Sequence, residues 1–201
     1  MNILQIIGPV MIGPSSSHTA GAVRLGRVVN KLLDGRTPEK VEITLSGSFS
    51  ETYKGHGTDR ALLAGIMGYH SDAPEIRDAH PNTARIRFRA ADGLKGMMQG
   101  ASIGGGNIVV QRINGMNVEF NGDNHTLLVM HEDKPGVIAG VTNLMHWKYE
   151  DLNIAGFRLS RQNKGGAAIM TLEMDNLPPD QLIREIRELD HVTNAILIRR
   201  L

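Results

Sequence analysis

Between His125 and Ile198 the apolar residues change their spacing in one order, and that order permits few folds. Residues 125–130 (HTLLVM) form a short apolar run ending in the polar turn HEDKPG, which reads as a strand. Val137, Val141, Leu144 and Met145 then fall on one helical stripe over 137–147. Residues 152–160 alternate, with Ala155, Phe157 and Leu159 on one face, and Asn163-Lys164-Gly165-Gly166 is a hairpin signal. Ala168, Met170, Leu172 and Met174 continue with period two. Pro178-Pro179 opens a helix over 179–189 carrying Leu182, Ile186 and Leu189, and residues 192–198 close with a strand. Strand-helix-strand-strand-helix-strand predicts a ferredoxin-like βαββαβ sandwich over 123–201.

The first 122 residues are less regular. A helix is predicted over 19–33, with Ala22, Leu25, Val29, Leu32 and Leu33 on its apolar side and Gly35 suited to its end. A strand over 40–46 and a helix over 57–69 with Leu62, Leu63, Ile66 and Met67 follow. Residues 83–90 and 106–120 read as strands, the second broken at Asn114-Gly115. The mixture predicts an α/β domain over 1–122, hence an α+β protein of two domains, with Asn121–His125 as the linker. A length of 201 residues allows two such units at roughly 150 residues or fewer each.

Composition removes several classes of function. Net charge is +1, residues 1–122 holding 13 basic and 10 acidic side chains and residues 123–201 holding 9 and 11. Neither part has the basic excess of a nucleic-acid binder, and eight aromatic residues are too few for base-stacking platforms. With no cysteine, the chain by itself supplies no disulfide, thiol nucleophile or thiolate-held cluster, which suits a reducing compartment. No apolar run reaches the roughly 18 residues of a membrane span. The apolar start has no Lys or Arg before Arg24, so it reads as mature cytoplasmic sequence rather than a secretory signal.

Four segments are able to carry chemistry. Gly13-Pro14-Ser15-Ser16-Ser17-His18-Thr19 immediately precedes a helix, where unpaired N–H groups and the positive dipole end favour an anion. Capping needs one hydroxyl; three in a row plus a histidine exceed it. Lys54-Gly55-His56-Gly57-Thr58-Asp59 repeats the theme at a second strand-to-helix junction, with Thr58 or Asp59 available as a cap. Ala101-Ser102-Ile103-Gly104-Gly105-Gly106-Asn107 sets a Gly triplet before a strand, where backbone N–H groups can meet an anion, but it lacks the dinucleotide fingerprint and reads rather as a tight turn or bulge. At His131–Gly136, Gly136 lets a small carboxylate approach a helix start, while the remaining histidines show no metal-ligand spacing.

These motifs resemble the β chain of iron–sulfur-dependent bacterial L-serine dehydratase, over essentially the whole chain. IIGPVMIGPSSSHTAGAVRLG looks like the family's first signature and GSFSETYKGHGTDRALLAGIMG like its second. Residues 125–201 resemble an ACT domain, an amino-acid-binding module. The first domain also resembles the substrate-binding-like domain of some phosphoglycerate dehydrogenases. The resemblance implies deamination of L-serine: loss of water, then tautomerisation and hydrolysis of the enamine to pyruvate and ammonia. It implies a [4Fe-4S] cluster ligated by a cysteine-bearing α subunit, an obligate partner, and no metal on this chain.

On that footing His18 and His56 are the expected proton-handling residues, although the base could come from the α chain. Ser15, Ser16, Ser17, Thr19, Lys54, Gly55, Thr58 and Asp59 are expected around the substrate. Asp133, Pro135, Gly136 and Val137 are expected to bind an amino-acid effector, with ACT-mediated homodimerisation. Two other classes compete: a non-catalytic amino-acid-sensing subunit, and the regulatory end of a dehydrogenase, for which the chain has no nucleotide-binding half.

Overall fold

The computed structural model describes residues 18–46, 50, 53, 57–69 and 83–201. The chain divides into two compact units, residues 1–114 and 115–201.

In the first unit, antiparallel pairing joins β1 (Pro38–Ser46), β2 (Thr83–Ala90), β3 (Lys95–Gly104) and β4 (Asn107–Ile113) in that order. Alternate residues Ala84, Ile86, Phe88 and Ala90 of β2 are buried, as are Met98 of β3 and Ile108 and Val110 of β4. Helices α1 (Ala20–Leu32) and α2 (Thr58–Ile66) lie where the sequence places them. Strand β3 is not anticipated by its sequence, because KGMMQGASIG has three glycines and weak strand propensity. Packing explains two of them. A methyl group at Gly96 would lie 2.7 Å from Phe88 Cε1, and one at Gly100 would lie 2.6 Å from Leu25 Cδ2 of α1.

The second unit has strand order β7-β8-β6-β9, from β6 (His125–Glu132), β7 (Ile154–Arg161), β8 (Ala167–Met174) and β9 (Val192–Ile198). With α3 (Val137–Lys148) between β6 and β7, and α4 (Asp180–Arg187) between β8 and β9, this is the expected ferredoxin-like βαββαβ unit. Leu127, Val129, Val141, Met145, Met170, Leu172, Leu182 and Ile186 make its core. Pro179 stands at the start of α4 in extended conformation, and Gly165 has φ 76° in the β7–β8 turn, as the sequence suggests.

Strand β5 (Met116–Phe120) is hydrogen-bonded to β4 as the fifth strand of the first sheet, as the predicted strand broken at Asn114-Gly115 requires, and its residues fall in the second compact unit, where the Asn117 N–H donates to Ser160 Oγ at 3.2 Å and Arg158 pairs with Glu119 at 2.8 Å. One feature differs from the sequence expectation. Phe157 and Leu159, on one expected apolar face, are 47% and 39% exposed, because β7 is the edge strand of its sheet. Asn121–Asp123 forms a turn closed on itself, the Asn121 amide donating to Asp123 and the Asp123 N–H to Asn121. Among the described residues no helix is long and apolar enough to cross a membrane.

Candidate functional site

The start of α1 is built from two segments distant in sequence, the helix itself and the β3–β4 hairpin. α1 runs against β3 so that Leu25 meets Gly100 and Gly21 meets Ser102; a methyl at Gly21 would lie 2.8 Å from Ser102 Cβ. This register carries the first turn of α1 to the end of β3, where the chain reverses into β4. Gly105 and Gly106, at φ 62° and 81°, are the two central residues of that reversal, and Gly104 has φ 100°. Positive φ at both central positions is the tight-hairpin geometry that glycine satisfies without strain. The Gly triplet is therefore the turn and bulge its sequence suggests, but a turn docked on a helix start: Arg24 Nη1 of α1 donates to Gly106 O at 3.1 Å.

At this end of α1, His18 is 7% exposed and Thr19 and Ser102 are buried at 0% and 3%. Thr19 holds the N-cap position and its carbonyl accepts from the Val23 N–H at 2.9 Å, but its side chain makes no capping bond. Thr19 Oγ1 is fully buried without a hydrogen-bond partner. Such an orphan costs on the order of 1–3 kcal/mol and calls for an explanation. Burial and the neighbouring Arg24 guanidinium hold Arg27 below the usual arginine range, so two partly buried cations share this stretch of α1.

α1 and α2 cross at Gly26 and Gly65, six residues into the first helix and seven into the second. Beyond the crossing, Asn30 Nδ2 donates to Ile66 O at 2.9 Å, on the C-terminal side of both glycines. The helices therefore run in the same sense and start at the same end of the pair. The start of α2 is capped by neither Thr58 nor Asp59: Gly57 occupies the cap in the left-handed region, φ 63°. Thr58 is fully buried, and Asp59 Oδ1 accepts the Arg60 N–H at 2.9 Å. Ser15, Ser16, Ser17, Lys54, Gly55 and His56 lie outside the described residues.

In the second unit, Pro135, Gly136 and Val137 line an open pocket of about 350 Å³ with Gly140, Leu189, Asp190 and His191. Gly136 stands at the start of α3 with φ 90°. Asp133 is not part of this lining. Its Oδ2 accepts the Gly165 N–H at 2.9 Å and Arg161 Nη1 at 2.8 Å, and these bonds hold its carboxyl below the ordinary aspartate range. The His131 Nδ1–H donates to Glu132 O at 2.6 Å, and Glu132 Oε2 pairs with His191 Nδ1 at 3.1 Å.

Sequence reasoning passes over Arg24 and His191, and reads Ser102 only as part of the segment that leads into the glycine triplet. Arg24 stands three residues, about one turn, after Gly21, on the side of the helix that meets the β3–β4 hairpin, and that spacing could have flagged it. Nothing local marks Ser102 or His191, which the tertiary fold delivers.

An antiparallel sheet carrying two helices that start together, followed by a ferredoxin-like βαββαβ unit, defines a two-domain α+β protein. The serine dehydratase beta chain family model matches residues 3–91. The probable L-serine dehydratase beta chain of Bacillus subtilis (strain 168) is 39% identical over 218 residues, 98% of this chain and 97% of that one. The L-serine dehydratase beta chain of Peptoniphilus asaccharolyticus is 32% identical over 213 residues, 95% of each. A D-3-phosphoglycerate dehydrogenase of Archaeoglobus fulgidus is 25% identical over 199 residues, 88% of this chain but 37% of that one. The chain belongs to the L-serine dehydratase beta-chain family.

Proposed function

We propose that this chain is the β subunit of a two-subunit L-serine dehydratase, which converts L-serine to pyruvate and ammonia only together with an α subunit carrying a [4Fe-4S] cluster. The observation that carries this reading is the match to two beta chains over 95% or more of both partners. The same extent of similarity favours it over a stand-alone sensor or the regulatory end of a dehydrogenase.

The residues of this chain do not fit a thiolate-held cluster, since it has no cysteine. Among the described residues no group of three His, Asp or Glu is placed to hold a metal ion. The cluster is therefore assigned to the partner, where such a group supplies a Lewis acid for the serine hydroxyl.

What this chain contributes is an anchor and a proton carrier. In our reading the serine carboxylate lies at the start of α1, against its free N–H groups, the hydroxyls of Ser15, Ser16 and Ser17, and the orphaned Thr19 hydroxyl. Arg24, held by the glycine turn, and Arg27 add positive potential to that end of the helix. Either His18 or His56 takes the Cα proton, unless the base comes from the α subunit. Lys54, Gly55, Thr58 and Asp59 complete the pocket from the start of α2, with residues 1–122 as the catalytic-side domain.

Residues 123–201 act as an ACT domain in this proposal. The pocket at Pro135, Gly136 and Val137 takes an amino acid such as L-serine, and the exposed Phe157 and Leu159 of edge strand β7 meet a second copy. The working compartment is the cytoplasm.

The test is anaerobic co-expression with the α subunit, followed by pyruvate release with and without this chain. Full turnover by α alone would sink the proposal. If α assembled with His18→Ala and α assembled with His56→Ala both keep wild-type turnover and an intact cluster, neither histidine carries the proton.

A further inference from the structure

The face of the first sheet turned away from α1 bears a concentration of positive charge. Residues directly opposite in the register share a face, and one such row is Lys40–Arg89–Lys95 across β1, β2 and β3. The next rows add Glu42–Arg87–Met97 and Thr44–Arg85–Gln99, and Arg112 lies opposite Gln99 on β4. Six cations stand against Glu42 and the adjacent Glu39, a local excess of four on a chain whose net charge is only +1. All six are exposed.

The internal pairing is incomplete. Arg89 meets Glu39 at 2.9 Å, and Arg87 reaches Glu42 only at 3.5 Å, both between half-exposed side chains. Arg85 donates to the neutral Gln99 at 3.1 Å. Three like charges abreast on neighbouring strands cost folding stability, so the row is poorly explained by the needs of this chain alone. Beside it lies a recess of about 210 Å³ lined by Lys40, Glu42, Arg87, Phe88 and Arg89, open enough to receive an acidic side chain. No aromatic ring lies among these outward residues, so the face offers no stacking platform for a nucleic acid.

We propose that this basic sheet face is the docking surface for an acidic patch on the α subunit, Lys40, Arg89 and Lys95 forming its centre. The inference rests on the two-subunit function proposed above. Charge complementarity of this kind acts on encounter and register more than on the chemistry.

The experiment measures anaerobic binding of the purified full-length chain to the α subunit at 50 and 500 mM salt. Wild type is compared with Lys40→Gln/Arg89→Gln/Lys95→Gln and, separately, Arg85→Gln/Arg112→Gln. The triple variant should bind about tenfold or more weakly at low salt, and the double variant less severely. Both differences should shrink at high salt. The thermal midpoint of the free triple variant should equal or exceed that of wild type, because a like-charge row has been removed. Unchanged affinity in both variants would overturn the docking surface while leaving the two-subunit function intact. Failure of wild type to bind α at all would remove both. Unchanged α binding with lost retention on heparin would overturn it in favour of a polyanion.

Discussion

Gly26 and Gly65 face each other where α1 crosses α2: a methyl group on either would lie 2.9 Å from the Cα of the other. Each would also run into a carbonyl oxygen of the opposite helix, Leu62 O from Gly26 and Val23 O from Gly65. The backbones touch, and their closeness sets where the two helix starts stand. Gly65→Ala should therefore destabilise the protein by roughly 1–3 kcal/mol, because backbone rather than a pliable side chain must move. Urea denaturation checks it; a loss below the error of that measurement would mean that the crossing is loose.

The Thr19 hydroxyl gives a sharper test of the candidate site. Thr19→Val removes a fully buried oxygen that has no partner. The free chain should gain about 1 kcal/mol of stability, seen as a higher thermal midpoint. The reconstituted enzyme should need more serine for half-maximal rate, because the substrate carboxylate loses a donor. Higher stability with unchanged kinetics would make the hydroxyl a packing defect and not a ligand group.

Asp133, in the β6–α3 loop, is tied by its carboxylate to Arg161 and the Gly165 N–H of the β7–β8 turn, and its titration should say so. Bonds from the Gly165 N–H and Arg161 lower its folded pKa. Its contribution is then fully present above the unfolded value, about 3.9, and is lost as pH falls through the lower folded value. In an acid titration of the thermal midpoint, Asp133→Asn should fall below wild type at pH 6 and converge with it towards pH 2. Amino-acid binding at the Gly136 pocket should survive the substitution. A variant that keeps its midpoint but loses that binding would return Asp133 to the effector site.

Phe157 and Leu159 stand exposed on an edge strand. Phe157→Asp with Leu159→Asp should abolish self-association in sedimentation velocity and leave the far-ultraviolet dichroism unchanged. A wild-type chain that sediments as a monomer at all concentrations would remove the ACT-mediated dimer.

Where the sequence was legible, one periodicity dominated. In the second unit the two helices and β8 present clean stripes and β6 a continuous apolar run, so Leu127 and Val129, Val141 and Met145, and Leu182 and Ile186 could be assigned to one core from the sequence, whereas the stripe of β7 proved exposed. Strand β3 was illegible for a reason that is also structural. Gly96 and Gly100 make room for Phe88 and Leu25, and that requirement erased the strand's own signal. The candidate site was legible only in part: its histidine-tipped junctions carry local composition, whereas Ser102 and Arg24 gain their meaning from the docking of a hairpin on a helix start.

By itself the order of residues determined the two-unit architecture, the βαββαβ module and the absence of thiolates, because periodicity and residue chemistry are local properties of a chain. Only the tertiary structure decided that Gly26 meets Gly65, that the glycine turn holds Arg24, and that Lys40, Arg89 and Lys95 stand abreast. Those relationships join residues from six to more than eighty positions apart, and strand register and helix crossing, which set them, are written in no single stretch of sequence.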